Sequence, residues 1–193
     1  MKQILLVVCL SICAIAVAQA QTSTPAKAPA APAASQGPTK DPVAASLRII
    51  LPRSQNNIEG AIEAMPADKF SYKPTADQNT FAHLVVHIIG SNRLLCSKAA
   101  DVPAPKVDEA KETDSKDQLL TAVKASFTFC NDALSKMDDS KLGENLDIFG
   151  NGRQLPRAIA ALALASGWAD HYAAAAMYLR LNGILPPSAQ PKK

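Results

Sequence analysis

The chemistry available to this chain starts with three histidines, the only ones among its 193 residues: His83, His87 and His171. A neutral imidazole can ligate a divalent metal or carry a proton near neutral pH. His83 and His87 are four residues apart, so on a helix they project from nearby sides, a spacing that can hold a metal. By helical angle His87 falls at the edge of the apolar face and His83 lies further round, toward the outside. Taken singly, each reads first as a hydrogen-bonded boundary residue. Trp168 and Tyr178 share a side of their helix with His171 and could line a pocket, although core packing explains them as well. No Ser-His-Asp arrangement and no phosphate-cradling glycine loop accompanies these residues. The carboxylates Asp108, Glu109, Glu112 and Asp114 fall in a polar connection and are expected to be solvated.

The elements that must position these groups read as helices throughout, with no convincing strand. Asp41-Pro42 opens the first, with Asp as N-cap and Pro at the first helical position. Its stripe continues through Leu47, Ile50, Leu51, Ile58, Ile62 and Met65, and Pro52 predicts a kink or break within it. The second begins at the N-cap Thr80 and runs to about Lys98, with Phe81, Leu84, Val85, Ile88, Asn92 and Leu95 on one face. The third spans about Ser115 to Met137. Leu120, Val123, Phe127, Cys130, Leu134 and Met137 alternate spacings of three and four, the mark of a bundle seam. The fourth starts near Pro156 and ends at Asn182-Gly183. It is rich in alanine, so neighbouring helices can come close. Residues 65–74 and 138–153 read as connections. The polar stretch 99–114 is long for a helix-helix connection, which allows the third helix to run parallel to the second. In that arrangement Cys96 and Cys130 approach each other near one end, and a disulfide and two buried thiols are both open readings.

Outside the helical region the sequence speaks of export. Lys2, an apolar run over residues 4–17, and Ala18-Gln19-Ala20 form a secretory signal pattern over residues 1–20. The run is shorter than the roughly 20 residues a permanent span needs. An uncleaved anchor and a lipoprotein signal at Cys9 or Cys13 are the competing readings; Val8 and Ile12 stand where a lipoprotein signal has a small residue. Cleavage places Gln21 at the mature end and the protein in the periplasm or outside the cell, with no stable membrane insertion. Residues 21–40, mostly Ala, Pro, Ser, Thr and Gln, read as a flexible linker, and residues 41–193 as one domain. The balance of 20 Lys+Arg against 17 Asp+Glu, without a basic stripe carrying aromatics, argues against a nucleic-acid partner.

Several segments together resemble the DinB-like family of four-helix-bundle metalloenzymes. The connection Ala64-Met65-Pro66-Ala67-Asp68-Lys69-Phe70-Ser71-Tyr72-Lys73-Pro74-Thr75 and the helix Phe81-Ala82-His83-Leu84-Val85-Val86-His87-Ile88 are similar to that family's first connection and second helix. So are Phe149-Gly150-Asn151-Gly152-Arg153, the helix start at Arg157, and the ending from His171-Tyr172 through Tyr178-Leu179-Arg180-Leu181-Asn182-Gly183-Ile184-Leu185-Pro186-Pro187. The resemblance implies an all-α four-helix bundle. It also implies a divalent metal, zinc or nickel, held by a histidine at position 87 and by two histidines four apart on the last helix. His171 matches the second of those two; the first falls on Gly167, and Ala173 and Ala174 replace the polar residues that usually follow. Gly167 then leaves a water-filled position, or His83 takes over as third ligand, or the pocket no longer holds metal. Two functions follow: an exported metal-dependent enzyme acting on a small molecule, or a non-catalytic bundle binding a small apolar ligand or a protein partner.

Overall fold

A computed structural model describes residues 37–191. The expected signal segment and residues 21–36 of the expected linker lie outside the described residues. Four helices dominate: α1 (Pro42–Ala64), α2 (Phe81–Ala100), α3 (Lys116–Lys136) and α4 (Ala158–Leu181). They pack in a ring, with α1 against α3 and α4, and α2 against α3 and α4. Asn92 meets Ser126 and Cys96 meets Cys130, so α2 and α3 run parallel. Phe81 meets Tyr178 and Asn92 meets Trp168, so α4 runs antiparallel to α2. The chain therefore goes up, down, down and up, and the long 101–115 connection makes the parallel step possible.

Local chemistry accounts for most helix ends. The Thr80 hydroxyl accepts a hydrogen bond from the His83 amide at the start of α2. Ser115 and Gln118 form a reciprocal capping box at the start of α3. At the end of α4, Gly183 adopts φ +73°, and the amides of Ile184 and Gly183 return to the carbonyls of Leu179 and Arg180.

The start of α1 is solved differently from the local expectation. Asp41 sits in the left-handed region and its side chain caps nothing. The carboxylate of Asp139, nearly a hundred residues away, accepts from the Val43 amide at 2.8 Å and the Ala44 amide at 2.9 Å. The Asp139 amide donates in turn to Asp41 Oδ1. The helix also passes through Pro52 without a break; packing of Leu47, Leu51 and Ile58 on either side holds it together.

The core runs the length of the ring. Trp168, Phe81 and Phe127 are its largest fully buried side chains, and Phe127 meets Trp168 across the bundle with ring centroids 6.2 Å apart. In α3 the inward residue of the first turn is Leu119, with Leu120 only partly buried, so the seam enters one position earlier than its spacing suggests. The 138–153 connection is more ordered than a plain loop. Two short strands, β1 (Asn145–Asp147) and β2 (Gln154–Pro156), pair antiparallel with Leu146 opposite Leu155. Asp147 closes the turn between them by accepting from the amides of Asn151 and Gly152. Arg157, buried at the foot of α4, joins this ribbon to the end of α2 through Glu144, Asp101 and the Lys98 carbonyl. A disulfide links Cys96 to Cys130, with Cα atoms 5.2 Å apart, and ties α2 to α3. Among the described residues no helix is long and apolar enough to cross a membrane.

Candidate functional site

Antiparallel packing of α2 on α4 brings His87 and His171 face to edge. Their ring centroids are 4.8 Å apart and the planes are nearly perpendicular. Ser91 Oγ, one turn beyond His87, lies 3.4 Å from its Nε2. On the other helix, a Cβ placed on Gly167 would sit 3.5 Å from His171 Nε2, so the absent side chain at 167 leaves room directly beside that nitrogen. Burial, and then the facing His87, push the His171 pKa below the ordinary imidazole value, while Asp170 opposes them. His171 is thereby held toward its neutral form, the form that offers a lone pair to a metal.

A cavity of about 230 Å³ opens on this pair. Leu95, Leu164, Trp168 and the half-exposed Phe149 supply its apolar wall, and Ser91 and Asn92 its polar one. Asn92 is fixed from both ends: its amide donates to Ser126 Oγ at 3.0 Å, and its oxygen accepts from Trp168 Nε1 at 2.8 Å. Trp168 thus belongs to the core and to the cavity wall at once. Tyr178, also buried, donates its hydroxyl to the Asn79 carbonyl and lines a second cavity of about 290 Å³ with Gln78, Asn79, His83 and His87. His87 is common to both cavities, so the two chambers adjoin at that residue along the α2–α4 seam.

His83 is not drawn into the pair. It is less exposed than His87, against the order suggested by helical angle, because the 101–115 connection folds back over it. Its Nδ1 lies 2.8 Å from Glu112 Oε1, and Thr80 Oγ1 donates to Glu112 Oε2 at 2.7 Å. The Thr80 hydroxyl and then the His83 ring hold the Glu112 carboxyl below the usual carboxylate range. Glu112 was expected to be merely solvated; nothing in a polar connection signals which carboxylate will find a partner 29 residues away. Among the described residues no group of three or more His, Cys, Asp or Glu side chains is gathered closely enough to hold a metal ion.

An all-α ring of four helices, with a histidine pair facing a cleft between the second and fourth, defines the class of protein. Residues 50–173 match the model of the DinB superfamily, and the chain belongs to that superfamily. The fold is similar to the crystal structure of a DinB-like protein from Bacillus subtilis, with a TM-score of 0.59 and 19% identity over 76% of this chain and 99% of that one. It is also similar to a DinB-like protein from Bacillus cereus, with a TM-score of 0.56 and 17% identity over 69% of this chain and 89% of that one. No curated protein matches the chain.

Proposed function

We propose that the domain binds a divalent metal ion, zinc or nickel, through His87 and His171, and acts on a small molecule that enters the adjoining cleft. The observation that carries this reading is the approach of the two imidazoles across the α2–α4 seam. The donor set fits in kind, since neutral imidazoles suit both metals, and the space beside Gly167 leaves coordination positions open, as a catalytic rather than a structural site requires. Such an ion would supply Lewis acidity to an oxygen, nitrogen or sulfur atom of the bound molecule. The chain's own part is to orient that molecule: Trp168, Leu164 and Phe149 pack its apolar portion, and Ser91 and Asn92 meet its polar atoms.

The protein works outside the cytoplasm in this account, in the periplasm or as a secreted form. The Cys96–Cys130 disulfide supports that placement, because such bonds persist in oxidising compartments. N-terminal sequencing after expression in a secreting host is expected to read from Gln21; retention of Met1 in a membrane fraction would contradict cleavage. A second reading, a metal-free bundle that takes a small apolar ligand, is favoured by the lack of a third donor among the described residues and by the apolar cavity wall. Metal analysis of protein purified without a histidine tag separates the two. The first predicts about one equivalent of bound divalent metal after zinc addition and desalting, and the second predicts none.

A further inference from the structure

His83 has the surroundings of a working base. Glu112 is an acceptor when ionised, so the proton of the 2.8 Å contact sits on His83 Nδ1. In the neutral ring this contact selects the tautomer whose Nε2 is unprotonated and able to accept. Glu112 is itself fixed, because its second oxygen is taken by the Thr80 hydroxyl, which in turn caps the His83 amide. The same imidazole lines the 290 Å³ chamber beside His87, Gln78, Asn79 and Tyr178. A carboxylate behind an imidazole that lines a cleft is the arrangement by which enzymes orient a general base. Among the described residues His83 is not gathered with His87 and His171 into a three-donor group.

We propose that Glu112 and His83 form a proton-accepting pair serving the cleft, with Thr80 and Glu112 as positioning residues. His83 Nε2 takes the proton from water, or from the O–H, N–H or S–H group of a ligand lodged against His87. This rests on the reading of the cleft as a ligand site, but does not require the metal.

The probe is p-nitrophenyl acetate, added to the full exported chain with its disulfide intact. Water attacks the ester carbonyl, one of its protons passes to His83 Nε2 and on to solvent, and the bond to p-nitrophenolate breaks, leaving acetic acid, which gives its remaining acidic proton to solvent as acetate. His83→Ala is expected to lose roughly tenfold or more of the protein-dependent rate, with partial rescue by free imidazole, and Glu112→Gln to lose severalfold. Rescue distinguishes a missing base from a damaged fold. Long-range proton–nitrogen NMR should show His83 protonated on Nδ1 in the parent and a mixed tautomer in Glu112→Gln. Zinc binding is measured on the same variants. Loss of hydrolysis with zinc binding retained supports the pair. Parental rates in both variants would overturn it, leaving only a staple between α2 and its neighbouring connection. Loss of zinc binding on His83→Ala would also overturn it, because His83 would then be a ligand. Failure of every variant and the parent to bind zinc would sink the metal reading alone, with hydrolysis still deciding the pair.

Discussion

Position 167 concentrates the chemistry of the site into the presence or absence of one side chain. Residues four apart on a helix share a face, and a Cβ at 167 meets His171 Nε2 at an ordinary contact distance of 3.5 Å. Gly167→His would therefore place a third imidazole beside the existing pair, in space that is already open. The variant should also lose a helix-weakening glycine, worth under about 1 kcal/mol. It is expected to melt at least as high as the parent without metal and markedly higher with zinc. A variant that melts lower and ignores zinc would mean that the ring strains a closed pocket, at a cost of roughly 1–3 kcal/mol. Residue type and spacing mark His83 and His87, the resemblance to the family marks His171 as the partner of His87, and His87 and His171 do meet. The partner of His83 was not, because Glu112 reaches it through the path of a connection, and no helical period governs that path.

Helices show the same division between local and non-local causes. Thr80, Ser115 with Gln118, and Gly183 act within a few residues of the ends they cap, so their roles could be read directly along the chain. The start of α1 could not be read that way: its cap is Asp139, supplied by the segment after α3. Replacing Asp139 by Ala should strip both bonds and destabilise the fold by about 1–2 kcal/mol, the size of a strong N-cap. Asp139→Asn, which keeps one acceptor oxygen, should recover part of that loss. Denaturant midpoints of the three proteins check the order; an unchanged midpoint in Asp139→Ala would mean that solvent caps α1 equally well. Pro52 teaches the converse, since a residue that weakens a helix locally is tolerated where the inward side chains on either side of it, Leu47, Leu51 and Ile58, are buried. The ribbon of β1 and β2 leaves no mark in the sequence, because strands of three residues are too short to carry an alternation.

Across the whole molecule, the parallel step from α2 to α3 decides what can meet. It sets Cys96 against Cys130, and the disulfide closes a loop between residues 34 apart in sequence. Constraint of the unfolded chain by a loop of that size is worth roughly 3–4 kcal/mol. Reduced protein, or the double variant Cys96→Ala and Cys130→Ala, is expected to unfold at clearly lower denaturant than the oxidised parent. Two alkylatable thiols in protein purified without reductant from a secreting host would rule the bond out. The long connection made this topology an allowed reading of the sequence, and the bond follows from the topology rather than from either cysteine's own surroundings.

The same ring order puts α2 against α4 and so creates the His87–His171 pair on which the functional account depends. Isothermal titration of tag-free, chelator-stripped protein with zinc tests it most directly, with the parent compared against His87→Ala and His171→Ala. The account predicts one zinc per parent chain and loss of that binding in each single variant, with both variants still folded by circular dichroism. Parent protein that takes up no zinc, or variants that bind it as the parent does, would contradict it.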